Sequence, residues 1–180
     1  MKKLEQTKQG AVDLHWLATL LTGRREIAGG VTMQAVDHPA YDSNPYFSTW
    51  MVAWSRRLVI ARALIAVRED LAASARRTAL RREGPALPPR PWGLDRRTPK
   101  SDVERALLSM DLFPRAAVLL LVFERVPLKD AAILLDADPE LVRKAQAAGV
   151  RELMTKLDRM QSWKSFATAS KTVISEWEYA

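Results

Sequence analysis

The chain is predicted to be all-α, with two helical domains joined by a proline-rich linker and a helix-turn-helix in the second domain. Three observations predict this. Its 180 residues include only seven glycines, while alanine, leucine and arginine are abundant, a balance that favours helix over sheet. Apolar residues recur at three- and four-residue intervals rather than alternating. One stretch, residues 83–100 (EGPALPPRPWGLDRRTPK), breaks that rhythm with five of the ten prolines and two glycines. The boundaries follow: residues 1–82 a helical domain, 83–100 a basic linker, 101–160 the helix-turn-helix domain, and 161–180 an amphipathic tail.

The first domain divides at its breakers. Ala11–Leu21 reads as a helix that stops before Thr22-Gly23. A second runs from about Arg25 to Val36, weakened by Gly29-Gly30 at roughly 1 kcal/mol per glycine relative to alanine. His38-Pro39 ends it and AYDSNP forms a loop. One long helix is then expected from Pro45, which suits a first turn, to Arg82. Phe47, Trp50, Met51, Trp54, Leu58, Ile60 or Ala61, Leu64 and Ile65 form its buried stripe. Arg56, Arg57, Arg62, Arg68, Arg76 and Arg77 occupy the opposite face.

In the second domain, Asp102 is expected to cap a helix through Met110. Pro114–Glu124 (PRAAVLLLVFE) is a mostly apolar helix and Pro127–Leu135 (PLKDAAILL) a short one. Asp136-Ala137-Asp138 makes a tight turn into a long helix, PELVRKAQAAGVRELMTKL. Its start is well marked: Asp138 as N-cap, Pro139 in the first position, Glu140 against the helix dipole. Gly149, in mid-helix, calls for the close approach of another backbone. The tail spacing Trp163, Phe166, Ser170, Val173, Ile174, Trp177 is that of an amphipathic helix, suited to packing on the second domain or to docking a partner.

Composition narrows the function classes. An apolar content of 48% supports a substantial core, and the absence of cysteine excludes disulfides and thiolate metal sites. No apolar run is long enough to span a bilayer, and MKKLEQTKQG lacks the apolar core of a signal peptide, so a cytoplasmic protein is expected. The net charge of +7 favours polyanionic partners. Much of it lies between Arg68 and Lys100, where nine basic residues stand against four acidic ones. Enzymatic activity is not expected. His15 and His38 have no visible partner, no carboxylate pair has catalytic spacing, no glycine-rich loop follows a strand, and no metal or cofactor ligand set is present.

A short helix, a three-residue turn and a second helix with basic residues on its first turns form the geometry that enters a DNA major groove. Arg143 and Lys144 are the candidates for base contact, with Glu140 beside them and Arg151 for a phosphate. In the first domain the candidates for DNA contact are Arg56, Arg57 and Arg62. Trp50 and Trp54 resemble base-stacking platforms in type, but their spacing with Phe47 and Leu58 assigns them to the core.

The order of these parts resembles the extracytoplasmic-function sigma factors of bacterial RNA polymerase. Their second domain reads like ALxxLPxxxRxVLLLxxxEGxSxxEIAxxLGxSxxTVKxRLxRARxxL. ALLSMDLFPRAAVLLLVFERVPLKDAAILLDADPELVRKAQAAGVREL follows it through Leu107, Leu119, Leu120, Leu121, Ala132, Leu135, Val142, Arg143 and Leu153. LATLLTGRREIAGGVTMQAV resembles the family's LALRLTGDREDAEDLVQETF. FSTWMVAWSRRLVIARAL resembles FRAWLYRIARNLAIDLLR at Phe47, Trp50, Arg56, Leu58 and Ile60. The likeness covers most of residues 12–158 and rests on the order of several weak motifs. It implies a region 2-like domain that binds polymerase core, a region 4-like domain that binds promoter DNA, and an anti-sigma partner. Two departures stand out. The acidic DAED of the family becomes EIAGG, which keeps only Glu26. In the recognition helix Asp138 and Leu141 replace Ser and Thr, and Ala145 and Ala148 replace basic residues. These losses would also suit a sigma mimic that binds a regulatory protein without reading promoters.

Overall fold

The computed structural model describes residues 2–36, 45–82 and 98–177, with side chains described for residues 9–35, 53–82 and 98–160. Every element among them is helical: α1 (Lys2–Thr22), α2 (Arg25–Val36), α3 (Pro45–Ala66), α4 (Arg68–Leu80), α5 (Lys100–Leu108), α6 (Leu112–Val118), α7 (Leu128–Leu135) and α8 (Pro139–Trp177). A π-helical turn, Leu119–Phe123, extends α6. None of these helices is long and apolar enough to cross a membrane.

α1, α2 and α3 pack on one another. α1 starts well before the expected Ala11, and it ends where glycine permits a left-handed turn. Gly23 has φ +70°, and its N–H donates to the Thr19 carbonyl at 2.8 Å. α2 has the bounds its sequence predicts, with Glu26 in the first turn. Its two glycines stand in open space, so no close approach requires them.

The single helix expected from Pro45 to Arg82 is instead two. Val67 (φ −117°, ψ 21°) breaks it, and Glu69 and Asp70 open α4. The break lets α4 leave α3 and lay Leu71, Ser74 and Thr78 onto the second block. The buried face of α3 includes Ile60 and Leu64 of the predicted stripe and departs from it at Ile65. Ser55, Val59, Ile60, Ala63, Leu64 and Val67 are buried, whereas Ile65 is 71% exposed and Trp54 half-buried. The side chains of Phe47, Trp50 and Met51, the linker over residues 83–97, His38 and the side chains of the tail lie outside the described residues. The backbone of α8 continues into the tail without interruption as far as Trp177, 39 residues or about 58 Å.

In the second block Asp102 is not the N-cap. Pro99 holds that position, and Asp102 is buried in the first turn of α5. α6 starts at Leu112, two residues before Pro114, because Asp111 caps it and accepts from the Leu112 N–H at 2.9 Å. α6 is then almost wholly buried, and α7 and α8 close over it.

The two blocks share one continuous apolar core, running from Leu14, Leu17 and Leu21 through Leu71 to Phe113, Leu120, Val142 and Leu153. Between them the Ser74 hydroxyl accepts from the buried Phe113 N–H at 2.8 Å. The Trp16 indole N–H donates to Glu104 at 3.1 Å, and the Lys100 ammonium sits 4.4 Å from the centre of the Trp16 ring. Arg115 is 5% exposed. Its guanidinium lies against Gly23 and donates to the Leu108 carbonyl, and burial lowers its pKa from the usual arginine value.

Candidate nucleic-acid interface

The turn between α7 and α8 is built by local hydrogen bonding. Asp136 takes a left-handed conformation (φ 50°). The Ala137 N–H reaches the Ala132 carbonyl at 3.1 Å and the Asp136 N–H the Ile133 carbonyl at 3.2 Å, which together form a Schellman close made without glycine. Asp138 then accepts from the Glu140 N–H at 2.8 Å, as an N-cap should. Two helices thus meet across three residues, and Asp138, Pro139, Glu140 and Arg143 are exposed at the start of α8.

The inner face of α8 is Val142, Ala145, Gly149, Val150, Leu153 and Leu157. Gly149 is pressed against α6. A Cβ built there would fall 2.8 Å from the Pro114 carbonyl oxygen and 2.6 Å from Val118 Cγ2. The close backbone approach that its sequence position calls for is present.

The candidate contact residues do not form one surface. Arg143 is exposed and pairs with Glu140 on its own helix at 2.8 Å. Lys144 is half-buried and bound. Its ammonium donates to the Ala79 carbonyl at 3.0 Å, satisfying a carbonyl in the last turn of α4. Arg151 lies further along α8, in a separate groove. Arg56 is engaged at the seam between the blocks, where its guanidinium grips the Glu124 carboxylate with two nitrogens, one at 2.9 Å. Those hydrogen bonds raise its pKa above the ordinary arginine value, against the opposing effect of partial burial. Arg62 donates to the side-chain oxygen of Gln34 on α2, and Arg57 is exposed. Arg56 and Lys144 therefore serve the packing of the blocks in this conformation.

The groove that holds Arg151 did not stand out in the sequence. It has a volume of about 480 Å³ and runs between the end of α4 and the middle of α8. Arg81 and Arg82 line one side, and Arg151, Glu152, Thr155, Lys156 and Arg159 the other. Glu152 is its single carboxylate, 3.6 Å from Arg81 and 3.3 Å from Lys156. Lys156 also donates to the carbonyl and hydroxyl of Ser109, which holds it upright against α5. Arg151, Thr155 and Arg159 follow at four-residue spacing, which the sequence does display. Arg81 and Arg82 join them only through the packing of α4 on α8.

A second groove, about 620 Å³, lies between α2 and α3 and is apolar: Ile27, Val31, Leu58, Ala61 and Ile65, with Gln34 and Arg62 at its margin. No cluster of histidine, cysteine or carboxylate side chains suited to a metal occurs among the described residues, and His15 is exposed. No protein-family model, no curated protein and no solved structure matches the chain.

Proposed function

We propose that this chain is a divergent sigma-like transcription factor that binds promoter DNA through the start of α8 and a polymerase surface through α2 and α3. The observation that carries this reading is a backbone one. In the register set by Ala132 and Leu135, the two glycines of the family's second-domain pattern fall at Arg125 and Asp136. Among the described residues these are the two non-glycine positions with positive φ, at 54° and 50°. An L-residue takes that conformation at a cost, so its presence at both glycine positions points to the same chain path kept after the glycines were lost. The exposed first turn of α8 and the three-residue turn before it fit a helix that enters a major groove. The apolar groove between α2 and α3, beside exposed Met33 and Ile65, fits a protein partner on that side.

The test is duplex selection from a randomised library with the full chain, together with capture of core polymerase. Wild type should enrich one motif, and Arg143→Ala should relax one position of it by about 1–3 kcal/mol. Enrichment of no motif, with polymerase or an anti-sigma protein still captured, replaces this reading with that of a sigma mimic. One observation favours the mimic: Arg143 is matched by Glu140, and Lys144 is turned toward the Ala79 carbonyl, so the start of α8 offers few free cationic donors.

A further inference from the structure

The distribution of charge poses a problem for the DNA-binding reading. Residues 101–160 contain nine Lys/Arg and ten Asp/Glu, a balance of −1, although they include the whole helix-turn-helix. Residues 1–100 contain seventeen and nine, a balance of +8. At the start of α8, Asp138 and Glu140 cancel Arg143 and Lys144. Affinity for a duplex comes mainly from cations that neutralise phosphates and release condensed counterions. Phosphate contacts also set the register in which base contacts are made. The helix-turn-helix block does not carry that positive charge by itself.

The groove between α4 and α8 does. Arg81, Arg82, Arg151, Lys156 and Arg159 face it against the one carboxylate of Glu152, a local balance of +4. Two of the five cations come from the first block, so the groove exists only while the blocks are packed. It lies on the same helix as Arg143, with Arg151 two turns further along, or about 12 Å. We infer that this groove is the phosphate-backbone seat for duplex nucleic acid, completed by the first block and supplying the salt-dependent share of affinity that the helix-turn-helix lacks. The inference rests on the DNA-binding reading and adds to it a site on a different face.

Arg82 and Arg159 are suitable probes because both are exposed and neither forms an ion pair among the described residues. The experiment measures duplex affinity of the full chain against salt for wild type, Arg82→Ala/Arg159→Ala, and Arg82→Lys/Arg159→Lys. The alanine pair should flatten the log–log slope by about 1.8, near 0.9 for each lost phosphate contact, equally on all sequences. The lysine pair should restore it, since a phosphate needs only a point charge. Glu152→Gln should act in the opposite sense and tighten binding, because it releases Arg81 and Lys156.

An unchanged slope in the alanine pair, with wild type binding duplex normally, removes the groove from the interface and leaves the DNA-binding reading standing. If wild type binds no duplex even at low salt, both fall together. Calorimetry with inorganic phosphate distinguishes the sources of the same chemistry. A stoichiometric phosphate seat that the alanine pair abolishes, while duplex binding keeps its slope, assigns the groove to a free anion and overturns the nucleic-acid assignment.

Discussion

Gly149→Ala separates two effects of opposite sign. In the interior of α8, alanine is favoured over glycine by about 0.8–1.0 kcal/mol from backbone entropy alone. Against this, the new methyl would sit 2.6 Å from Val118 Cγ2, 2.8 Å from the Pro114 carbonyl oxygen and 3.2 Å from Met110 Cε. The Met110 methyl lies at the end of a flexible side chain and can give way. Val118 is fully buried and the carbonyl belongs to the α6 backbone, so neither can move unless the helices part. Overpacking of this kind costs about 1–3 kcal/mol, and here it falls toward the upper part because one obstacle is main chain. The net effect should be a loss of about 1–2 kcal/mol, which for a chain of this size lowers Tm by about 2–8 °C.

The control is Gly30→Ala in α2, where nothing lies within 4 Å of the added methyl. It should gain up to about 1 kcal/mol and raise Tm. Thermal unfolding followed by far-ultraviolet circular dichroism measures both. The pair Gly149→Ala/Val118→Ala should cost less than its two single changes added together, because the smaller side chain makes room for the methyl. If the Gly149 and Gly30 variants both rise in Tm by similar amounts, α8 does not press on α6 as described.

Three further outcomes follow from the seam between the blocks. Ser74→Ala leaves the buried Phe113 N–H without its acceptor and should cost about 1–3 kcal/mol in urea unfolding; a loss below about 0.5 kcal/mol would mean that water replaces the hydroxyl. A double-mutant cycle on Arg56→Ala and Glu124→Ala should give a coupling of about 1–2 kcal/mol, above that of a surface pair because Glu124 is only 13% exposed, yet limited because Arg56 is 35% exposed. Additive losses would show that the pair contributes nothing to the seam. The Asp111 carboxyl is held below the usual carboxylate range, first by the Arg77 guanidinium and against partial burial, with help from Ser74 and the Leu112 N–H. A depressed carboxylate stabilises the fold above its unfolded pKa of about 3.9, and that stability is lost as pH falls through the folded value. Arg77→Ala should therefore raise the Asp111 titration seen by NMR and soften the loss of stability below about pH 4; an unmoved titration would assign the depression to the helix cap instead.

What the sequence revealed was what is decided locally. Gly23 as a helix stop, Asp138 as an N-cap and the bounds of α2 each depend on residues within five positions. Gly149 was legible only in part: a mid-helix glycine suggests a close neighbour, which is present at Gly149 and absent at Gly29 and Gly30. The misread features all depend on distant partners. The break at Val67 makes sense only once α4 has α6 and α8 to pack on. Lys144 is bound by the carbonyl of Ala79, 65 residues earlier, and Arg56 by the carboxylate of Glu124, 68 residues later, and neither partner is visible in the local sequence. Helical periodicity placed Ile60 and Leu64 on the buried face of α3 but also Ile65, which is exposed at the groove between α2 and α3.

Four ion pairs among the described residues cross the seam with the cation on the first block. Arg56, Arg68, Arg77 and Arg81 come from α3, the start of α4 and the region of its end; Glu124, Asp136, Asp111 and Glu152 come from the second block. Most of these pairs are open to solvent and contribute little energy one by one. Their stronger effect is on the field. Each covers a carboxylate on a block whose own balance is negative, and two of those carboxylates flank the elements that would meet DNA: Asp136 in the turn before α8, and Glu152 in the groove. Arg68 and Arg81 offset the charge of these two acids, and Arg82, Arg151 and Arg159 line the groove that holds Glu152. The first block thus offsets negative charge on the second, and if the second block binds DNA as proposed, a weakened seam would lower that affinity through charge before it did so through shape.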